Sequence, residues 1–169
     1  KVVFEVGDAE KIALDEEYDL ITSNSAIQWF ESIEKTLQTY SSVLKKGAWL
    51  IFSTFGPLTF TELATSLRKI RSDKNLFVAS RDFLDKEELE RLLAKYFNKV
   101  SVKEIVTQEK YPSLEALLKE IKYTGSRGCI TGCGYLWSQG LLKAVEDAHI
   151  GDLGRIIATY QIFLCRAER

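Results

Sequence analysis

The sequence predicts a single α/β domain over residues 1–169, built on a Rossmann-like, doubly wound sheet with a terminal antiparallel strand. Apolar strand patterns alternate with amphipathic helix patterns, which favours parallel strands joined by crossover helices. Residues 48–55 form a continuous apolar run, as expected for the buried middle of a parallel sheet. Two strand patterns after residue 99 are separated by a helical and loop insert over residues 111–150, which predicts a closing strand pair.

The composition argues against several classes of protein: nucleic-acid-binding, disulfide-rich, zinc-binding and membrane-spanning. The chain is 46% hydrophobic over 169 residues and can bury one sizeable core. Its 23 basic residues nearly balance its 24 acidic residues, so we expect no nucleic-acid partner. Three cysteines without a CxxC pair argue against a disulfide framework or a structural zinc site and favour a reducing compartment, so we expect a cytoplasmic protein without a metal. No apolar run is long enough to span a bilayer, so we expect no membrane partner.

The chain is organised around residues 18–30. There an acidic start and a short apolar run lead to a polar tip, Ser23-Asn24-Ser25. The pattern predicts a strand and a loop at its carboxyl end, where open α/β sheets bind ligands. Apolar residues at three- and four-residue spacing then predict a helix that ends at Lys45-Lys46-Gly47, with Gly47 as its C-cap.

The remaining elements follow from capping and turn patterns. Residues 1–6 are a β-rich run and a predicted first strand, which stops at Gly7-Asp8. Asp8 is therefore either a ligand-binding carboxylate at the strand end or an ordinary turn residue or cap. Residues 100–106 and 158–166 are predicted strands. Four further helices follow from two capping-box pairs and two N-cap serines, namely Thr59 with Glu62, Asp85 with Glu88, Ser113 and Ser138.

The insert over residues 111–150 contains a glycine-rich segment, residues 125–134, that we interpret as a mobile loop. Insertions of this kind often form lids, so the insert is a candidate substrate lid. Cys129 and Cys133 could be redox-active or metal-binding, and we interpret them as free thiols because no further ligands are near. His149 is expected to be solvated or to interact with a helix dipole, not to act in catalysis.

Several stretches together resemble the class I S-adenosylmethionine-dependent methyltransferases: Gly7-Asp8-Ala9-Glu10 and residues 18–29, 43–47 and 51–57. Within that superfamily, residues 24–29, 52–57 and 117–125 resemble the malonyl-acyl carrier protein O-methyltransferases of biotin synthesis. The resemblance extends along essentially the whole chain. It implies a Rossmann-like methyltransferase sheet, S-adenosylmethionine as cofactor, and methyl transfer to the free carboxylate of malonyl on acyl carrier protein.

The resemblance also implies a cofactor site, made of Asp8, Ala9, Glu10, Asn24 and Ser25. Asp8 would accept a hydrogen bond from the adenine amino group, and the Ala9 amide would meet a ring nitrogen. Asn24 and Ser25 would lie near the methionine end of the cofactor. Gln28 and Trp29 would face the methyl acceptor. Because carboxylic acids are ionised near neutral pH, we expect no catalytic acid or base.

An anionic acceptor calls for a cation, so we expect Lys122 or Arg127 to face the malonyl carboxylate, with Tyr123 as a wall of the same pocket. The alternative is an exposed helix end with solvated charges. Acyl carrier proteins are acidic, so by the same resemblance a basic cluster is the expected docking surface, namely Arg68, Lys69, Arg71 and Lys74. The alternative is a helix end whose cations suit the helix dipole.

The glycine-rich loop and the ribose-binding acid that the resemblance implies upstream have no counterpart in the sequence. We therefore expect the N-terminal part of the fold to be absent. The chain alone is expected to bind S-adenosylmethionine weakly or not at all, and to be marginally stable or self-associating. The other functional hypotheses are a class I methyltransferase with another small-molecule acceptor, a non-catalytic methyltransferase-like binding module, and a nicotinamide oxidoreductase of similar architecture.

Overall fold

The computed structural model describes residues 2–14, 16–70, 78–124 and 138–169. Within these ranges, one sheet contains four strands in the order β1-β2-β4-β3, namely β1 (Tyr18–Asn24), β2 (Leu44–Phe55), β3 (Lys99–Tyr111) and β4 (Ile156–Glu168). β1 pairs with β2 in parallel, whereas β4 is antiparallel to both β2 and β3. The predicted α/β sheet with a terminal antiparallel strand is therefore confirmed.

In the described parts of the chain, five α-helices connect these strands: α1 (Ile33–Val43), α2 (Thr61–Ile70), α3 (Lys86–Ala94), α4 (Leu114–Thr124) and α5 (Gln139–Leu153). The predicted capping box of Asp85 and Glu88 is present at α3. The hydroxyl groups of Ser113 and Ser138 accept backbone hydrogen bonds at the starts of α4 and α5, as predicted. None of the described helices combines the length and apolar character needed to cross a membrane.

Two apolar cores hold the described parts together. The first lies between the sheet and helices α1 and α3, and includes Leu37, Leu50, Phe52, Leu89 and Phe163. The second joins α2, α4 and α5 to the start of β4, and includes Phe60, Leu63, Leu117, Val145 and Ile156. Each fully buried side chain of this size contributes about 1.5–3 kcal/mol to folding. The described part of the insert thus belongs to a core, and its role as a lid stays a prediction.

Residues 2–6 are not part of the sheet, so the predicted first strand is wrong for these residues. Val2, Val3, Phe4 and Val6 are exposed, and Phe4 retains 92% of its accessible surface. A strand needs a partner for its backbone groups, and none of the four described strands pairs with residues 2–6. A high β-propensity does not supply that partner.

The helix α1 ends at Val43, so the predicted helix end at residues 45–47 is wrong. Gly47 does adopt a left-handed conformation, with φ of 78°, but it does so inside β2. The register of β1 against β2 shifts here, from Tyr18 opposite Leu44 to Leu20 opposite Trp49. Gly47 therefore lies in a strand irregularity and not at a helix C-cap.

Thr59 and Glu62 do not form the predicted capping box. The Thr59 hydroxyl group donates to the Gln161 carbonyl oxygen at 3.1 Å, and the Glu62 carboxylate accepts from the Thr159 backbone N–H at 2.9 Å. Both side chains therefore bind β4, which lies about a hundred residues later in the chain. A local sequence pattern cannot reveal a competing partner at that distance.

His149 is fully buried, so the expectation of a solvated histidine is wrong. Its Nε2 atom lies 2.9 Å from the carbonyl oxygen of Ile157, in β4. Its Nδ1 atom has no hydrogen-bond partner among the described residues. The histidine therefore joins the end of α5 to the start of β4, and the chain turns between them at Gly154, which has φ of 69°.

One face of the sheet carries exposed apolar side chains. Leu20 of β1, Ile51 of β2 and Leu164 of β4 retain 52%, 42% and 42% of their accessible surface. Exposed apolar patches of this kind mediate association between proteins. The expected self-association of the chain stays a prediction.

Gly56 provides a test of the packing between β2 and β4. A Cβ atom at this position would lie 2.5 Å from Cε2 of Phe163 and would also overlap the side chain of Gln161. We predict that Gly56→Ala lowers the free energy of unfolding by about 1–3 kcal/mol in urea titrations, because overpacked cores are destabilised by this amount.

Gly151→Ala in α5 is the matched control for Gly56→Ala. No atom lies within 4 Å of the added Cβ atom. Alanine should raise the free energy of unfolding by about 0.5–1 kcal/mol, because glycine disfavours helices. Equal stability of the two variants would contradict the described approach of β2 to β4.

Candidate functional site at the carboxyl ends of β1 and β2

The parallel pairing of β1 and β2 brings their carboxyl ends to one edge of the sheet, where ligands bind in open α/β folds. Asn24 is the last residue of β1 and lies opposite Ser53 of β2. The next residue, Ser25, has φ of 48°, which is uncommon outside glycine. The chain therefore turns sharply at the predicted polar tip.

Ser53 connects the residues of this tip. Its Oγ atom accepts a hydrogen bond from the Ser25 backbone N–H at 3.0 Å and donates to Oδ1 of Asn24 at 2.5 Å. The Nδ2 group of Asn24, on an exposed side chain, has no partner among the described residues. Ser53 is not among the predicted site residues, although its position near the end of the neighbouring strand indicates such a role.

Gln28 lies next to this tip, in a short 3₁₀ turn at Ile27–Trp29. Its Nε2 group donates to the Ser25 carbonyl oxygen at 2.5 Å, and its Oε1 atom accepts from the Thr54 hydroxyl group at 3.4 Å. The side chain lines a cavity of about 130 Å³ whose other walls are mainly apolar, including Ile27, Phe30, Phe55, Phe83 and Leu89. Trp29 is 36% exposed and does not line this cavity.

Residues 8–12 form a compact turn, which we call the Asp8 turn. The Asp8 carbonyl oxygen accepts from the backbone N–H groups of Lys11 and Ile12 at 2.9 and 2.8 Å. Hydrogen bonds from the Lys11 ammonium and the Glu10 N–H lower the pKa of the exposed Asp8 carboxyl group, which is therefore ionised near neutral pH. The neighbouring Ala9 N–H has no acceptor among the described residues.

The Asp8 turn lies against the start of α1. The Glu10 carboxylate accepts hydrogen bonds from the backbone N–H groups of Glu31 and Ser32, both at 2.8 Å. The structure thus places this carboxylate on the helix, and its predicted role in cofactor binding stays a prediction. The loop at residues 25–32 therefore has the Asn24 tip at one end and the Asp8 turn at the other.

A groove of about 550 Å³ lies beside the cavity, and Phe55 lines both. Tyr111 and Tyr160 line the groove with their hydroxyl groups 2.6 Å apart, and burial raises the pKa of both phenols. Glu120 of α4 also lines the groove. No described lining residue of the cavity or the groove is a lysine or an arginine.

Of the two predicted acceptor cations, only Lys122 is described, and it does not line the cavity. Lys122 and Tyr123 lie near the end of α4 with exposed side chains, and the Lys122 ammonium is 5.9 Å from the centre of the Tyr123 ring. Neither residue lines the cavity or the groove, although Glu120 of the same helix does. Arg127 lies outside the described residues. The roles of all three predicted residues stay predictions.

The predicted docking surface is described only in part. Arg68 and Lys69 are exposed at the end of α2, and the Lys69 ammonium is 2.6 Å from the Asp152 carboxylate of α5. Arg71 and Lys74 lie outside the described residues, as do Cys129 and Cys133. The remaining cysteine, Cys165, is a buried thiol whose pKa is raised to about 12 by burial.

The sequence matches the family of methyltransferase domains over residues 2–101, more than half of the chain. The chain belongs to this family. The predicted family is therefore confirmed, and S-adenosylmethionine, the cofactor that the resemblance implied, is the methyl donor of such enzymes.

Curated relatives carry a more specific name. Malonyl-acyl carrier protein O-methyltransferase of Methylococcus capsulatus is 33% identical over 171 residues, which cover 97% of this chain and 60% of the relative. The enzyme of the same name from Bacillus cytotoxicus is 30% identical over 176 residues, covering 100% of this chain and 61% of the relative. The chain thus spans about 60% of the length of these relatives.

Solved structures agree with the fold. A candidate methyltransferase of Bacillus halodurans has a TM-score of 0.61 at 14% identity, covering 96% of this chain and 69% of its own. A candidate methyltransferase from an antibiotic biosynthesis pathway of Anabaena variabilis has a TM-score of 0.56 at 19% identity, covering 98% of this chain and 72% of its own. At these identities the likeness shows the shared fold.

The connecting role of Ser53 can be tested by removing its hydroxyl group. We predict that Ser53→Ala lowers the free energy of unfolding by about 1–2 kcal/mol, because Oδ1 of Asn24 loses its partner and the Ser25 N–H loses one acceptor. Denaturant titration measures the change.

Ser42→Ala is the control for Ser53→Ala. The Ser42 hydroxyl group donates to the Thr39 carbonyl oxygen at the surface of α1. Its loss should change the free energy of unfolding by less than about 0.5 kcal/mol, as expected for a surface site. If both variants were equally stable, Ser53 would not hold the tip.

Proposed function

We propose that this chain carries the acceptor side and part of the cofactor site of an enzyme that methylates the free carboxylate of malonyl on acyl carrier protein. The product is a methyl ester that serves as a precursor in biotin synthesis. The proposed cofactor site is supported by one observation: the Asp8 carboxylate lies beside the Ala9 N–H, which is exposed and has no acceptor among the described residues. The names of relatives at 30–33% identity support the acceptor.

The residues present fit S-adenosylmethionine. Adenine carries an amino group, which donates, beside a ring nitrogen, which accepts. The ionised Asp8 carboxylate and the Ala9 N–H are the complementary acceptor and donor. At the other end of the loop, the Nδ2 group of Asn24 is a donor suited to the carboxylate of the methionine part. When bound, the cofactor supplies an electrophilic methyl group on its sulfonium.

The chain has little acid-base chemistry to perform on a malonyl acceptor. Its carboxylate is already ionised near neutral pH, so no residue has to remove a proton. The work of the protein is to orient the carboxylate oxygen and to keep water away. Gln28 suits the orienting role because both ends of its amide are hydrogen-bonded, and the mainly apolar cavity beside it suits the exclusion of water.

The insert is proposed to supply the cation for the malonyl carboxylate. Support comes from Glu120 of α4, which lines the groove next to Phe55 and so brings that helix to the acceptor side. Lys122 and Tyr123 follow on the same helix, and Arg127 follows in the chain. Trp29, at the exposed side of the 3₁₀ turn, is proposed to contact the acceptor.

The proposed reaction is tested with the complete protein, labelled S-adenosylmethionine and malonyl-acyl carrier protein. We expect label on the malonyl carboxylate and none on acetyl-acyl carrier protein, which has no free carboxylate. Methyl transfer only to another small molecule would contradict malonyl as the acceptor, and the protein would still be a methyltransferase. Absence of both transfer and cofactor binding would favour a non-catalytic binding module.

The Asp8 carboxylate is tested in the same protein. Asp8→Asn should weaken S-adenosylmethionine binding by roughly ten- to a hundredfold, because a hydrogen bond to a charged group contributes about 1.5–3 kcal/mol. Asp19→Asn is the control, since Asp19 is also an exposed aspartate paired with a lysine, Lys45. Calorimetry that shows equal affinities for the two variants would contradict the adenine site.

The docking surface for acyl carrier protein is proposed to include Arg68, Lys69, Arg71 and Lys74. Reversing the two described charges, Arg68→Glu with Lys69→Glu, should slow association several-fold at low salt, with a smaller effect at high salt, because surface charges mainly steer encounter. Stopped-flow measurements report the rate.

A second variant separates docking from structure. Lys69→Glu breaks the ion pair with Asp152, and Lys69→Glu with Asp152→Lys restores a pair of opposite polarity. If the docking proposal holds, the restored pair recovers stability but leaves association altered. An association rate unaffected by the Arg68 and Lys69 reversals would assign these residues to ordinary solvated surface.

A further inference from the structure

The Glu10 carboxylate caps a helix from a distance in sequence. Its Oε2 atom accepts from the Glu31 N–H and its Oε1 atom from the Ser32 N–H, both at 2.8 Å. The hydroxyl group of Thr36, one turn into α1, lies 3.3 Å from the same Oε1 atom. The side chain of Ser32, the residue at the N-cap of α1, makes no capping bond. Glu10 thus accepts from the N–H groups of the N-cap residue of α1 and of the residue before it.

A hydrogen bond from Tyr40 also ties the same turn to the same helix. The Tyr40 hydroxyl group of α1 donates to the Ala9 carbonyl oxygen at 3.1 Å. Burial, with the nearby Glu10 and Asp8 carboxylates, raises the pKa of Tyr40, so its hydroxyl group remains a donor. The side chain of Glu10 and the carbonyl group of Ala9 are therefore both engaged by α1, which leaves the Ala9 N–H and the Asp8 carboxylate for a ligand.

The hydrogen bonds of Glu10 and Tyr40 matter because the sheet does not hold the Asp8 turn. Residues 2–6 lie outside every described strand, so the turn is placed in this structure by its contacts with α1. The start of α1 also borders the acceptor cavity, since Ile33 and Phe30 line it. One helix end therefore contacts both halves of the candidate site.

We propose that Glu10 is a positioning residue for the cofactor site and not a ligand of the cofactor. It fixes the Asp8 turn to α1, so that the Asp8 carboxylate and the Ala9 N–H present one geometry to the adenine edge. This inference rests on the proposed function, because it takes the Asp8 turn as the adenine site. Tyr40 supports the same placement from the helix side.

The test measures how well the complete protein distinguishes adenine from a close analogue. S-adenosylmethionine and its S-inosyl analogue, in which oxygen replaces the adenine amino group, are titrated by calorimetry into the wild type, Glu10→Ala, Glu10→Gln and Tyr40→Phe. Glu10→Ala should weaken S-adenosylmethionine binding about tenfold and change analogue binding much less, because the analogue has no amino group to donate to Asp8 and its N1, which carries a hydrogen, cannot accept from the Ala9 N–H. Glu10→Gln keeps one acceptor oxygen, so its affinity for S-adenosylmethionine should lie between those of Glu10→Ala and the wild type.

Glu34→Gln is the matched control. Glu34 is another acid in the first turn of α1, but its carboxylate binds Lys95 and Tyr96 and not the start of the helix. Removing its charge changes the field at the same helix end without releasing the Asp8 turn. The preference for adenine over the inosine analogue should stay at its wild-type value in Glu34→Gln.

A measurement without cofactor completes the test. Amide hydrogen exchange at Lys11 and Ile12, whose N–H groups bind the Asp8 carbonyl oxygen, should be about tenfold faster in Glu10→Ala than in Glu34→Gln. Unchanged exchange, or lower thermal stability with an unchanged adenine preference, would overturn the positioning role. If Glu10→Ala weakened the binding of S-adenosylmethionine and of the inosyl analogue equally, Glu10 would instead be a direct ligand of the cofactor.

The two hypotheses fail in different ways. If the wild type bound S-adenosylmethionine and the inosyl analogue with equal affinity, the proposed adenine site at the Asp8 turn would be wrong. This conclusion would hold whatever the amide exchange rates are. If the wild type preferred adenine and Glu10→Ala kept that preference, the proposed function would stand and the positioning role of Glu10 would be wrong.

Discussion

The parallel register of β1 against β2 is the constraint on which the candidate site depends. Because side chains alternate along a strand, a slip of one residue would turn Asn24 and Ser53 to opposite faces and separate them. The irregularity at Gly47 lies at the other end of the pair, where Tyr18 is opposite Leu44 and Leu20 is already opposite Trp49. The surplus residues of β2 are thereby accommodated far from the site, and the last five pairs stay in register.

The strand β4 fixes β2 from its other side. Its inward side chains, such as Phe163 and Cys165, belong to the core beneath α1 and α3. Its backbone pairs with β3 along its whole length and with β2 over residues 162–168. It also binds Thr59 and Glu62 of the segment that follows β2. The loop after β2 is thus held on β4, which keeps the carboxyl edge of the sheet in place.

The elements that could be predicted from the sequence are those defined by local patterns. Asp85 with Glu88 and Thr59 with Glu62 show the same spacing, yet only the first pair caps a helix. The second pair meets backbone groups of β4, and such tertiary partners are invisible to a window of a few residues. The same reason explains His149, whose partner Ile157 decides its burial, and residues 2–6, which have strand composition but no described strand beside them.

For the site, the resemblance named Asp8, Ala9, Asn24 and Ser25, and the structure places them at the two ends of one loop. The sequence did not reveal what holds them there. Ser53 reaches Asn24 across 29 residues of chain, and Tyr40 reaches Ala9 across 31. Supporting contacts of this kind follow from strand order and helix placement, which a motif does not encode.

In the proposed site, the Asp8 turn and the Asn24 tip together receive the cofactor. A crystal structure of the complete protein with S-adenosylhomocysteine tests this placement most directly. We expect the adenine amino group about 3 Å from the Asp8 carboxylate and the amino-acid part beside Asn24. An adenosine bound elsewhere, with Asp8 contacting only Lys11 and Glu10, would contradict it.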